Sequence, residues 1–212
     1  MSDTKNALNA LQRLREGNQR FAANLRSLEP LFSHAKRAEL VARQEPFAII
    51  LGCSDSRVPA EIVFDQGLGD LFVIRVAGNI VAPSQVGSVE FAVSRYGTRL
   101  VVVLGHSQCN AIMATIDDLT GGDNNASKNM KSIVDRVKPS VESLIHTELR
   151  GDQEKLLKEA VRANVRASAN HLRHGSQIIE TLIETDGLLV VGAEYSLETG
   201  IVDFFDGAPP TG

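Results

Sequence analysis

Two apolar runs, each closed by a glycine and then a cysteine-bearing motif, constrain this chain more than anything else in it. Phe47-Ala48-Ile49-Ile50-Leu51 leads through Gly52 into Cys53-Ser54-Asp55-Ser56-Arg57. Leu100-Val101-Val102-Val103-Leu104 leads through Gly105 into His106-Ser107-Gln108-Cys109. A short, continuously apolar run is how a strand buried on both faces reads, and such strands belong to parallel sheets. A glycine just past the strand lets the backbone bend or approach a ligand closely. In open α/β sheets, ligands bind beyond the carboxyl ends of the strands. The only two cysteines in the chain, Cys53 and Cys109, both lie at such ends.

The remaining pattern agrees with that architecture. Residues 5–25 carry Leu8, Leu11, Leu14, Phe21 and Leu25 at helical spacing, which predicts an amphipathic helix. Its apolar stripe packs either on its own core or on a second subunit. A second helix opens at Ser33, a residue suited to capping, and ends near Glu45 because Pro46 disfavours helix just before it. Val58-Pro59-Ala60-Glu61 reads as a short helix start. Leu71–Val76 is a second strand, and a helix over 84–96 turns Val86, Val89, Phe91, Ala92 and Val93 inward. After the third strand come a helix from Cys109 to Leu119 and a loop at 121–125. Helices are expected over 129–147, 152–173 and 176–184, then a fourth strand, Leu188–Ala193. Thr199–Phe205 is an antiparallel edge strand.

Strands alternating with helices give an α/β fold. The expected sheet has about four mainly parallel strands plus the antiparallel edge strand, with helices on both faces. One domain is expected over 1–212, with a helical arm at 1–45, the α/β core at 46–206 and a tail at 207–212.

Composition narrows the function. With 43% hydrophobic and 23% charged residues, this is an ordinary globular chain. A net charge of −4 lacks the basic footprint of a nucleic-acid binder. No apolar stretch approaches the ~20 residues a membrane span needs. Met1-Ser2-Asp3-Thr4-Lys5 has no signal-peptide core, so a cytoplasmic location is expected.

The residues leave three readings of the cysteines. They are buried small side chains, a redox pair, or ligands of one metal ion. A redox pair more often uses Cys-x-x-Cys spacing, which is absent. Two thiolates and the imidazole of His106 suit tetrahedral zinc, and their matched positions at two strand ends favour the metal. Asp55 either supplies a fourth ligand or stays back. Arg57 can hold Asp55 in a bidentate pair, leaving the fourth position open to water. A plain structural ion pair is the alternative. His146, His171 and His174 lie in polar helical surroundings and are expected at the surface.

Cys53-Ser54-Asp55-Ser56-Arg57 together with His106-Ser107-x-Cys109 resembles the β-class carbonic anhydrases. Leu11–Phe21, Phe64–Phe72 and Arg75-Val76-Ala77-Gly78-Asn79 extend the likeness over most of the chain. The resemblance implies Zn2+ held by Cys53, His106 and Cys109, with Asp55 and Arg57 opening or closing the fourth position. It implies reversible hydration of carbon dioxide to bicarbonate by zinc-bound hydroxide. It implies self-association as a dimer or larger assembly, with Gln66 reaching substrate in the neighbouring subunit's site. Arg75 and Tyr195 fall where some members bind an inhibitory bicarbonate. Those members also use a tryptophan where this chain has Ile50, and this chain has no tryptophan at all. Asn110-Ala111 likewise stands where the family commonly has glycines. Val81 and Phe91 are expected to line the site for an uncharged substrate. Two alternatives accompany the reading: hydrolysis of carbon disulfide or carbonyl sulfide, and a zinc-holding module without catalysis.

Overall fold

The computed structural model describes residues 6–25, 34–122 and 127–210, the side chains of 34–36 excepted. Ser33, residues 123–125 of the expected loop, and 211–212 of the expected tail lie outside them. The chain begins with α1 (Ala7–Ala22) and α2 (His34–Ala42). Then follow β1 (Ala48–Gly52), α3 (Ala60–Val63), β2 (Leu71–Arg75), α4 (Pro83–Arg95) and β3 (Leu100–His106). The second half runs α5 (Asn110–Thr120), α6 (Lys128–Val141), α7 (Gln153–His174), α8 (Gln177–Thr185), β4 (Leu189–Tyr195) and β5 (Val202–Asp206).

The five strands form one sheet in the order β2-β1-β3-β4-β5. The first four are parallel and β5 is antiparallel to β4, as the sequence predicts. From β1 the chain crosses to β2 on one side, then returns to place β3 on the other. The carboxyl ends of β1 and β3 therefore sit side by side at a switch point of the sheet, where α/β folds leave room for a ligand.

Every residue of β1 and β3 is buried. The pleat sends alternate side chains to opposite faces. Ile50, Val102 and Leu104 meet Leu11 and Leu14 of α1 and Val63 and Phe64 at α3. Ile49, Leu51, Val101 and Val103 meet Val89 and Val93 of α4, Val165 and Leu172 of α7, and Ile179 of α8. Each fully buried side chain of this size contributes ~1.5–3 kcal/mol, and both faces are covered.

Helix α1 lies against its own sheet. Asn6 caps it, its side-chain oxygen accepting from the Leu8 and Asn9 amides at 3.0 and 3.3 Å. Asn18, buried within α1, donates to the Val63 and Gly200 carbonyls at 3.1 and 2.8 Å. Its oxygen accepts from the Val202 amide at 2.8 Å, fastening α1 to the start of β5.

Helix α7 presses unusually close to the sheet. A Cβ on Gly105 would stand 2.5 Å from Val165 Cγ2, and one on Gly192 would stand 2.7 Å from Val165 Cγ1. Both positions need glycine for this approach. The close packing brings Asn164 and Ser168 to the ends of the strands. There Asn164 donates to the Gly78 carbonyl at 2.8 Å and Ser168 to the Asn79 carbonyl at 3.0 Å.

Some expectations need correction. Helix α6 ends at Val141, two residues past Pro139, and short 3-10 turns follow at Leu144–His146 and Glu148–Gly151. The edge strand begins at Val202, because residues 196–201 form a turn closed by Ser196 and Ile201. Phe91 points outward and is 54% exposed, against Phe72 and Tyr96. His146, His171 and His174 are exposed, as expected. Among the described residues, no helix is long and apolar enough to cross a membrane.

Candidate metal centre

Gly52 and Leu104 are register partners across β1 and β3. Cys53 follows the first directly, and His106 closes the second strand. Gln108 takes φ 54°, a left-handed conformation unusual for a non-glycine residue, and so turns the chain sharply. That turn sets Cys109 at the N-cap of α5. The ligand atoms of Cys53, His106 and Cys109 all lie within 4.8 Å of one another, and all three residues are buried. In a tetrahedral site with Zn–S bonds of about 2.3 Å, ligand atoms stand somewhat under 4 Å apart. Modest adjustment would seat one ion. The structure thus brings together the three residues singled out as fixed ligands.

The histidine is prepared for this role. Its Nδ1 lies 2.8 Å from the Ser107 carbonyl, so Nδ1 carries the proton and donates it there. That leaves a lone pair on Nε2. This atom is fully enclosed and has no hydrogen-bond partner. A buried polar atom without a partner is costly. A metal ion between the imidazole and the thiols would remove that cost.

The thiols are arranged the same way. Hydrogen bonding from Cys109 holds the Cys53 thiol well below its ordinary range against the opposing effect of burial. The amides of Asp55 and Gly78 also stabilise the Cys53 thiolate, the second at 3.3 Å. Cys109 is pushed up, first by that same bond to Cys53 and then by burial. The pair therefore yields its first proton readily and its second with difficulty. A divalent cation would supply the charge that lets both be thiolates. The Ile112 and Ala111 amides, at the start of α5, point at Cys109 and would support its negative form.

Asp55 and Arg57 stand beside this trio. Arg57 Nε donates to Asp55 Oδ1 at 2.9 Å and Nη2 to Oδ2 at 2.7 Å, a bidentate pair. The Arg57 amide adds a third bond, to Oδ1 at 2.9 Å. The side-chain bonds from Arg57, more than its amide, hold the Asp55 carboxyl far below the usual carboxylate range, against some desolvation. Asp55 Oδ2 lies 4.0 Å from His106 Nε2. Arg57 Nη2 also reaches the Gln108 carbonyl at 3.2 Å, which joins the two strand-end motifs.

Other expected site residues are placed differently. Gln66 is buried within its own chain, its amide donating to the Phe64 carbonyl at 2.6 Å. Arg75 is spent on the Cys53 and Asp55 carbonyls, at 3.1 and 2.6 Å, and braces that loop. Tyr195 packs on Phe21, and Ile50 is sealed in the sheet. Val81 belongs to the core between the sheet and α4, and Phe91 to the surface. Cys53 and Cys109 instead share a buried apolar cluster with Ile80, Ile112, Val137 and Val161.

Sequence reasoning missed Gly78. Its φ is +68°, its amide faces Cys53, and an added Cβ would stand 3.2 Å from that of Ala111. The small, polar Ala77-Gly78-Asn79 after a strand was the available signal. Ala111, found where the family commonly has glycine, is accommodated because position 78 has no side chain.

Comparison with known proteins agrees with this geometry. Residues 48–202 match the carbonic anhydrase family model. Carbonic anhydrase 2 of Mycobacterium tuberculosis is 41% identical over 202 residues, covering 92% of this chain and 91% of its own. The carbonic anhydrase of Mycolicibacterium smegmatis is 45% identical over 136 residues, covering 64% of this chain and 65% of its own. Among solved structures, the β-carbonic anhydrase CcaA superposes with TM-score 0.71 at 26% identity, over 96% of this chain and 93% of its own. The β-carbonic anhydrase CafA of Aspergillus fumigatus gives TM-score 0.73 at 22% identity, over 95% and 91%. With strand order, strand-end chemistry and these likenesses in agreement, the chain belongs to the β class of the carbonic anhydrase family and is an enzyme of that family.

Proposed function

We propose that this chain catalyses the zinc-dependent, reversible hydration of carbon dioxide to bicarbonate and a proton. One observation carries the reading: a partnerless, buried imidazole nitrogen lies with two thiols beside a bidentate Asp55–Arg57 pair. Cys53, His106 and Cys109 would hold the ion. When bound, zinc supplies the Lewis acidity that brings the ionisation of water toward neutral pH.

The chain's own residues do the rest. Asp55, ionised, is an acceptor only. It takes a hydrogen bond from the attacking nucleophile and so aims a lone pair at the carbon of the substrate. Arg57 keeps Asp55 charged and fixed, and the Gln108 carbonyl steadies Arg57 from the other motif. Should the pair break, Asp55 is close enough to His106 to take the fourth ligand position and close the site. Ile80 and Ile112 give an uncharged, linear substrate an apolar wall. In a dimer or tetramer the second hydrogen of the Gln66 amide, not the one held by the Phe64 carbonyl, would donate to the developing bicarbonate in a neighbouring subunit's site. The exposed apolar side chains Phe91, Ile62 and Leu68 favour such self-association.

Stopped-flow measurement of carbon dioxide hydration tests the reading. Activity is expected in the zinc-loaded protein, rising with pH, and is lost on zinc removal and in Cys53→Ala and Asp55→Ala. Full turnover without metal would overturn it. So would zinc-loaded protein with no turnover anywhere from about pH 6 to 9, as expected of a structural zinc module that lacks an ionisable reactive water.

A further inference from the structure

The turn between β4 and β5 supplies a side chain that no feature of the reaction demands. Glu198 is exposed there, 91 residues from Ser107 in sequence. Its Oε2 accepts from Ser107 Oγ at 2.7 Å and from Ser196 Oγ at 3.0 Å. The Gln108 side chain faces the same carboxylate. Ser107 is gripped twice more: its Oγ accepts from the Leu197 amide at 2.9 Å, and its own amide donates to the Tyr195 carbonyl at 2.9 Å.

Ser107 and Gln108 are the two residues between His106 and Cys109. The Ser107 carbonyl is the acceptor that keeps the proton on His106 Nδ1. The Gln108 carbonyl is the acceptor that links Arg57 to this turn. Gln108 also holds the left-handed conformation that sets Cys109 at the helix start. A hydroxyl that accepts from Leu197 must send its own proton elsewhere, and Glu198 receives it. The carboxylate thus closes a chain of contacts running from the surface turn to the imidazole.

We infer that Glu198 is a positioning residue for the candidate metal centre: through Ser107 it fixes the ring orientation of His106 and steadies the turn that presents Cys109. The inference rests on the metal-site reading above. Partners of this kind, one shell out from a metal, typically change affinity by about 10–100-fold when removed. Glu198 sits on an exposed turn and belongs to neither hydrophobic face, so its loss leaves the sheet and its helices in place.

The test uses the full chain. Zinc affinity is measured by competition with a chromophoric chelator. The visible absorption of the cobalt(II)-substituted protein reports ligand geometry, a readout that a merely structural role would not move. Glu198→Ala is expected to weaken zinc binding about 10–100-fold and to shift the cobalt bands. Glu198→Gln keeps an oxygen that accepts from Ser107, and is expected to recover most of both. Ser107→Ala removes the same strap from its other end together with the acceptor of the Leu197 amide, so it loses at least as much as Glu198→Ala, and the double variant loses no more than Ser107→Ala alone. Glu154→Ala removes another carboxylate lining the same roughly 400 Å³ surface cavity, and is expected to bind zinc as the parent does. Parental affinity and cobalt spectrum in Glu198→Ala or Ser107→Ala would overturn the inference. Additive losses in the double variant, or an equal loss in Glu154→Ala, would do the same. Failure of the parent chain to bind zinc overturns the metal-site reading itself, a distinguishable result.

Discussion

Gly78→Ala sets two opposing effects against each other at the metal centre. Alanine stiffens the unfolded chain, which on its own stabilises the fold by about 0.4–1 kcal/mol. Against that, position 78 holds φ +68°. An L side chain pays ~1–2 kcal/mol in the left-handed region. The new methyl also meets the Ala111 Cβ at 3.2 Å, and both belong to packed elements with little room to move. The strain is expected to win by ~1–2 kcal/mol, lowering the midpoint of thermal unfolding by about 2–8 °C for a chain of this size. A second loss comes from the site. The Gly78 amide donates to Cys53 Sγ, and its carbonyl is held by Asn164. Hydrogen bonds to charged groups contribute ~1.5–3 kcal/mol. Displacing this amide should weaken zinc binding about tenfold or more. Differential scanning calorimetry of the metal-free protein and chelator competition read the two losses separately. An unchanged midpoint together with unchanged zinc affinity would refute the reasoning, because both follow from one backbone conformation.

Other predictions follow from the same geometry. His106→Ala should reduce zinc binding below one equivalent by mass spectrometry, and because the ring is fully buried and bonded to the Ser107 carbonyl it should also lower the unfolding midpoint. Arg57→Ala should let the Asp55 carboxyl rise toward its ordinary value of about 3.9. Because the folded value is depressed, the pair's stabilisation is fully present above that ordinary value and is lost as pH falls below it. Urea unfolding should therefore show a constant gap between parent and Arg57→Ala from neutral pH to about pH 5, closing below about pH 4. A gap that widens on acidification would contradict the sign. Gly17→Ala should destabilise despite alanine's advantage of ~1 kcal/mol in a helix. Its Cβ would stand within 1.9 Å of the Phe64 carbonyl and push α1 from α3. A raised unfolding midpoint would show that propensity outweighs this contact.

The parts of the fold legible in the sequence were those with local chemistry. The β1 and β3 runs announce buried strands because no polar residue interrupts them, and the cysteines follow at once. The Asp55–Arg57 pair was legible because the two residues are separated by a single position. Phe91 lies on the outer face of α4, against the expectation that it turns inward, and the helical period itself argues for that placement. Val89, Ala92 and Val93 mark the buried face of α4, and a residue two positions after Val89 lies off it. Thr199–Ile201 read as the start of the edge strand because Thr199 and Ile201 favour strands, but they belong to the turn set by the Ser196 and Ile201 backbone bonds. Contacts made at a distance left no local trace. Glu198 reaches Ser107, and Asn164 reaches Gly78, only once the sheet and α7 are assembled. Gln108 in a left-handed turn carries none of the glycine signal that such a turn usually shows.

Zinc K-edge absorption on the purified chain tests most directly whether the two strand ends bind one zinc ion. One zinc per chain is expected, with two sulfurs at about 2.3 Å and one imidazole nitrogen at about 2.0–2.1 Å, plus one lighter ligand. A first shell of nitrogen and oxygen alone, or fewer than two sulfurs, would contradict it.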